Sequence, residues 1–178
     1  MYPIPQFPHN SETYFYKQLA TVLDSNDYDW FTIVIAYANW QGLSLFSSSI
    51  EAHLEKGKKF AVIVGVNNGV TTPDALMYLW YLKQSYKKQV EIHTMDWDYK
   101  DSIFHPKMYY FQNSNKFNLI IGSNNLTVGG LCRNFELAAS HEGDIKKDSY
   151  SKKIEEFLDV YLSKATKLTL KNIRLYSE

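Results

Sequence analysis

His105-Pro-Lys-Met-Tyr-Tyr-Phe-Gln112, Gly122-Ser-Asn-Asn-Leu-Thr127 and Asn134-Phe-Glu136 decide how the rest of the chain is read. Residues 104–112 are aromatic and apolar, 117–121 read Phe-Asn-Leu-Ile-Ile, and the polar stretch 113–116 between them is of the kind that closes a β-hairpin. With Gln112 opposite Phe117, counting back sets Lys107 opposite Gly122 and His105 opposite Asn124. The start of one strand then meets the end of the next at one sheet edge. Period-two alternation puts His105, Lys107 and Tyr109 on a common face, and it gives Ser123 and Asn125 one side while the backbone stays extended. An imidazole, a fixed cation and two neutral hydrogen-bonding groups brought together in this way suit a phosphate.

Outward from the hairpin, segments of helical and strand periodicity alternate. Residues 1–10 are proline-rich and read as an N-terminal arm. A helix is expected over 11–24, with Phe15, Leu19, Val22 and Leu23 as its apolar stripe. Residues 30–38 and 59–66 are near-continuous apolar strands, separated by a helix over 41–56 that stops at Gly57. Thr72-Pro73 opens a third helix to about Lys88, and 90–95 is a third strand. Apolar strands separated by helices indicate a parallel core. After the hairpin come a strand over 135–141 and a helix over 149–163 bearing Ile154, Phe157, Leu158, Tyr161 and Leu162. The order predicts an α/β fold, a mixed β-sheet flanked by helices, as a single domain over 1–178.

Composition narrows the function classes. Apolar residues make up 45% and aromatics 16%, which excludes a disordered chain. Nineteen basic residues balance nineteen acidic ones, so no global positive field steers a polyanion and any nucleic-acid contact must be local. Cys132 is the single cysteine, which rules out an intramolecular disulfide and fits a reducing cytosol. The N-terminus lacks the basic and apolar regions of a signal peptide, and no apolar run approaches the ~20 residues of a membrane span. A soluble cytoplasmic protein with no membrane partner is expected.

His105-x-Lys107, followed about fifteen residues later by Gly122-Ser123-x-Asn125, resembles the His-x-Lys signature of the phospholipase D superfamily. The run Gly-Ser-Asn-Asn-Leu-Thr-x-Gly-Gly-Leu with Asn134-x-Glu136 behind it is more similar to that superfamily's bacterial nuclease and restriction-endonuclease branch than to its lipases. One departure concerns the aspartate usually found five residues after the lysine, which here is Gln112. In the restriction-type branch a downstream glutamate does the orienting, and Glu136 matches that placement. The resemblance implies a phospholipase D-like α/β sandwich with one motif per chain, and a homodimer whose shared active site supplies a second His105.

The implied chemistry is metal-independent cleavage of DNA, or of RNA, through a covalent phosphohistidine, with no cofactor. His105 attacks phosphorus. Lys107, Asn125 and Ser123 hold the non-bridging oxygens, and Glu136 hydrogen-bonds one imidazole nitrogen so that the other faces phosphorus. A chain of 178 residues leaves no room for the recognition domain that restriction-type relatives carry, so the protein is either a weakly specific nuclease or the catalytic piece of a larger one that works with a separate recognition domain or subunit. Two rivals remain: a phospholipase D-type enzyme acting on lipid or other small phosphodiesters, and a catalytically silent nucleic-acid-binding dimerisation module. The first predicts an amphipathic interfacial element, and none is evident. The second leaves the intact His105, Lys107, Asn125 and Glu136 unexplained.

The remaining features take plainer readings. His9, His53 and His93 read as structural or exposed, and Cys132 as a structural thiol. Gly129-Gly130 is either a tight turn or an anion cradle of backbone N–H groups. Gly65-Val-Asn-Asn-Gly69 lacks the lysine and spacing of a P-loop and is read as a loop. Asp96, Asp98 and Asp101 form a solvated acidic loop. Lys83, Lys87, Lys88, Lys164, Lys167, Lys171 and Arg174 are solvated by default, and with Lys100, Lys116 and Arg133 they are the candidates for phosphate contacts.

Overall fold

The computed structural model describes residues 1–96 and 102–177. Asp98, Asp101 and Lys100, read above as an acidic loop and a phosphate contact, lie outside the described residues. Eight strands form one mixed sheet: β1 (Tyr2–Gln6), β2 (Trp30–Ile35), β3 (Lys59–Gly65), β4 (Val90–Met95), β5 (Lys107–Gln112), β6 (Lys116–Gly122), β7 (Glu136–Asp144) and β8 (Thr166–Lys167). Their order across the sheet is β1-β7-β6-β5-β2-β3-β4-β8. The apolar strands β2, β3 and β4 run parallel, as their sequences require, and β5 joins them antiparallel through β2.

Among the described residues six α-helices cover the two faces. On one face α1 (Phe15–Asp24), α2 (Trp40–Leu43), α3 (Ser47–Glu55), α4 (Pro73–Ser85) and α6 (Leu170–Leu175) bury Leu19, Leu43, Leu54, Leu79 and Ile173 against Ile33, Val62, Ile92 and Phe111. The other face carries α5 (Ser149–Lys164), whose Ile154, Leu158 and Tyr161 pack on Val34, Ile63, Met108 and Tyr110. Because α5 spans only part of that face, apolar side chains of β6 and β7 stay open to solvent beyond it: Ile121 is 53% exposed and Leu137 61%.

The hairpin register is the one counted from the sequence, with Gln112 opposite Phe117 and Met108 opposite Ile121. Asn113 shapes the connection, its Oδ1 accepting from the N–H groups of Asn115 and Lys116 at 2.8 and 2.9 Å. The ladder begins at Lys107, three residues later than the expected strand. Pro106 lacks a donor and contributes only its carbonyl, which accepts from Ala36 N at 2.9 Å. His105 is therefore left at the mouth of the strand.

Three expectations need correction. The segment 1–10 is not a free arm, since β1 pairs antiparallel with β7 from Tyr2↔Ser140 to Gln6↔Glu136. Pro3 and Pro5 are tolerated because β1 is an edge strand. The helix expected over 41–56 is broken into α2 and α3. A Cβ on Gly42 would lie 2.5 Å from the Leu126 carbonyl oxygen, so the backbone of the loop after β6 presses into the helix there. Beyond α5, β8 and α6 form a closing segment that sequence periodicity left unassigned: Leu168 N bonds Ile92 O at 2.9 Å, and Lys83 Nζ, rather than being solvated, donates to Leu168 O at 3.2 Å.

Candidate active site

The carboxyl ends of β2, β3 and β4, the start of β5, the end of β6 and the start of β7 all reach the same sheet edge. His105 and Lys107 enter it from one side, Ser123 and Asn125 from the loop after β6, and Glu136 from the first residue of β7. His105 is exposed, whereas Lys107 is only 8% exposed. The Lys107 Nζ lies 2.8 Å from His105 Nδ1 and 3.0 Å from Nε2, and it donates to the His105 carbonyl at 3.0 Å. Tyr37 meets the imidazole edge-on, with ring centroids 5.6 Å apart.

An ammonium this close to both imidazole nitrogens disfavours a second positive charge on the ring, so the neutral form is the one that suits the contact. Desolvation and the Lys107 charge both hold the His105 pKa below its ordinary value. As the ring is exposed, the lysine contact is the cause that geometry makes specific. Burial likewise lowers the Lys107 pKa, while the charge of Glu136 acts the other way. Among the described residues no carboxylate forms an ion pair with the buried Lys107 ammonium, and an incoming phosphate supplies a counterion.

The second cluster holds the carboxylate. Glu136 accepts from the Ser123 hydroxyl with one oxygen and from Asn134 Nδ2 at 3.0 Å with the other. Ser123 is fixed further by Leu137 N, which donates to its Oγ at 3.1 Å. The hydrogen bonds of Glu136 thus go to Ser123 and Asn134, not to His105 as expected from the sequence. The imidazole nitrogens face Lys107 instead.

Two groups on the neighbouring loop join the clusters. Tyr109, fully buried beneath Lys107 on the same strand, donates its hydroxyl to Asn124 O at 2.8 Å. Asn124 goes inward, 1% exposed, and its amide donates to Gly130 O at 2.8 Å. Asn125 is half-buried, and its Oδ1 is a buried acceptor with no hydrogen-bond partner among the described residues. Gly130 belongs to a single π-type turn, Gly129–Arg133. A Cβ there would sit 2.5 Å from Asn125 N, so glycine is what lets the turn press against the site loop.

The other candidates stand apart. His53 is a core residue whose Nε2 meets Lys59 O at 3.1 Å. His9 stacks on Phe7, ring centroids 5.8 Å apart, near the rim at Phe135. Burial raises the Cys132 thiol pKa, and its Sγ donates to Val128 O at 3.3 Å, as befits a structural thiol. Residues 67–69 form a short 3-10 turn, with Asn67 Nδ2 donating to Asp96 Oδ1 at 2.9 Å.

The sequence profile of the family described as "Cardiolipin synthase, PLD-like domain" matches residues 30–159, a span that includes His105, Lys107, Ser123, Asn125 and Glu136. The chain belongs to this family. No curated protein sequence matches it significantly. Among solved structures, the phospholipase D-like chain superposes on phosphatidylserine synthase of Haemophilus influenzae Rd KW20 with a TM-score of 0.70 at 16% identity. That match covers 93% of this chain and 39% of the synthase, so the chain spans well under half the synthase's length. Nuc of Salmonella typhimurium, a phospholipase D family member, superposes at a TM-score of 0.62 with 16% identity, covering 85% of this chain and 90% of Nuc. NucT of Helicobacter pylori superposes at 0.61 with 14% identity, covering 85% and 89%. At these identities the likeness shows a common phospholipase D-like fold.

Proposed function

We propose that this phospholipase D-like chain is a phosphodiesterase that cleaves DNA through a phosphohistidine on His105. The observation that carries the reading is the Lys107 ammonium 2.8 Å from Nδ1 of an exposed, neutral imidazole. The phosphate competes for Lys107 and so frees the imidazole it neutralises. A ring-nitrogen lone pair then forms the P–N bond as the bond from phosphorus to the leaving oxygen breaks. Lys107, with the amide of Asn125 and the hydroxyl of Ser123, offsets charge on the non-bridging oxygens. Water next attacks phosphorus, the P–N bond breaks, and the product phosphate leaves with the imidazole restored. Glu136 keeps Ser123 in place, and its charge supports the ammonium form of Lys107 that meets the phosphate. Glu136 at this position, with Gln112 where an aspartate is usual, supports a nuclease of the restriction-type branch.

The leaving oxygen needs a proton, and the acceptor of the water's proton must be the same group. Among the described residues no second acid hydrogen-bonds to His105 or Lys107. A second copy, contributing its own His105 as imidazolium, fills that role across a twofold axis. The surface for it is the open face beside the site. Leu137 follows Glu136 directly, and Ile121 and Phe157 line a cleft of about 180 Å³ between β6, β7 and α5. On the other flank of α5, Val160 and Ile103 line a cleft of 240 Å³ that ends at Phe104, the neighbour of His105. Apolar exposure of this extent marks an interaction surface.

The test is turnover of plasmid, RNA, bis(p-nitrophenyl) phosphate and phosphatidylglycerol vesicles in excess chelator. Cleavage of plasmid and the dye ester supports the reading. Turnover of the lipid alone assigns the open face to a membrane surface and overturns the nuclease reading.

A further inference from the structure

We infer that Gln6, outside every motif of the site, is a positioning residue that holds both the asparagine and the carboxylate arms of the active site. The inference rests on the phosphodiesterase reading above. Gln6 ends the edge strand β1 and lies directly opposite Glu136 in the ladder with β7. It is 1% exposed, and a primary amide so deeply buried needs its polar atoms satisfied. Its Nε2 donates to Asn134 O at 3.0 Å and to Gly129 O at 3.3 Å, and its Oε1 accepts from Phe15 N at 3.1 Å.

The two carbonyls lie at the two ends of the π-type turn, which Asn134 N closes by donating to Gly129 O at 2.9 Å. One side-chain amide therefore staples the whole turn. Two arms leave it. The first is Gly130, whose carbonyl takes the Asn124 amide at 2.8 Å and whose Cα presses on the backbone of Asn125. The second is Asn134, whose amide holds Glu136 Oε1 at 3.0 Å while the other Glu136 oxygen holds Ser123. Loss of the staple would release both arms together. The Gln6 side chain bonds to Gly129, Asn134 and Phe15 and to none of the side chains of His105, Lys107, Ser123, Asn125 or Glu136, so it acts on the chemistry only through geometry.

Gln6 also has a structural duty, because Phe15 N is an unpaired donor of the first turn of α1. Two substitutions separate the duties. Gln6→Glu keeps an acceptor for Phe15 N but replaces the amide donors by a carboxylate facing two carbonyls. A carboxyl buried in this way titrates above its ordinary range, and once protonated it again offers one donor. Gln6→Met fills the volume and makes none of the bonds.

With bis(p-nitrophenyl) phosphate, kcat of Gln6→Met is expected to fall about a hundredfold, as for a small misplacement of reacting groups, with KM moving much less. Amide hydrogen exchange over 129–134 and at Asn125 should quicken in both variants. The ratio of Gln6→Glu to wild-type kcat should rise as pH falls, because His105 titrates in both proteins and cancels from the ratio. A flat ratio, or faster exchange with kcat retained, would reduce Gln6 to a support of α1 and overturn the inference. Unchanged exchange would overturn it as well. Inactive wild-type protein would instead defeat the phosphodiesterase reading, while the exchange measurement still decides whether the staple exists.

Discussion

Replacing Glu136 with glutamine removes one charge and almost no volume. Its Oε1 can go on accepting from Asn134, 3.0 Å away. The other oxygen becomes an NH2 group facing the Ser123 hydroxyl, which must turn, and Leu137 O, at 3.4 Å from Ser123 Oγ, is the acceptor available to it. Two charge-assisted hydrogen bonds are thus exchanged for neutral ones. At this solvent-accessible position the difference is about 1 kcal/mol in all, or a fall in Tm of roughly 2–4 °C for a domain of this size. Activity should respond far more strongly, because the amide no longer supports the Lys107 ammonium and the reoriented hydroxyl no longer points where a phosphate oxygen needs it. A loss of about a hundredfold or more in kcat is expected. Steady-state turnover of the dye ester, thermal unfolding by circular dichroism and light scattering on the same preparation separate the possibilities. Turnover within about threefold of wild type would show that the charge has no part in the chemistry. Loss of folding would make the residue structural.

Other expectations follow from the same geometry. His105 must be deprotonated to attack, and its pKa is held below 6.5, so the acid limb of kcat/KM should lie below pH 6.5. In Lys107→Gln the charge-dependent part of that shift disappears and the limb should move up toward pH 6.5 as turnover falls; a limb that stays put would remove the lysine from the account of His105. Leu137→Arg sets a charge on the open face, where the leucine is 61% exposed, and should give a folded, inactive monomer by sedimentation velocity. A wild-type monomer that cleaves would refute the shared site, whereas a variant that stays dimeric would refute only the choice of face.

Strand pairing near the motif was legible because the polar residues 113–116 admit one register, and that register alone carries His105 and Lys107 to the edge reached by Ser123. The parallel centre was equally legible, since 30–38 and 59–66 are apolar on both faces. The sheet margins were not. Pro3 and Pro5 make β1 look like an arm, and only its pairing with β7, more than 130 residues away in sequence, makes it a strand. The break at Gly42 likewise comes from a tertiary approach, by Leu126, that helical periodicity cannot register. At the site, residue types and order pointed to the right edge of the sheet but not to the hydrogen bonds. Whether Glu136 would face His105 or Ser123 depends on side-chain placement at the ends of two strands, and Gln6 carries no chemical signature at all.

The bond to His105 is the most direct thing to measure. Among the described residues the site offers one carboxylate, Glu136, whose oxygens are engaged by Ser123 and Asn134, whereas two-metal phosphodiester cleavage needs several carboxylates converging on one point. Quenching the reaction of labelled substrate in acid pH and excess chelator should leave label on the protein that is stable to alkali and labile to stronger acid, as a phosphoramidate is. His105→Ala should lose both label and cleavage. Cleavage that vanishes in chelator and returns with magnesium, with no label on His105, would contradict the mechanism.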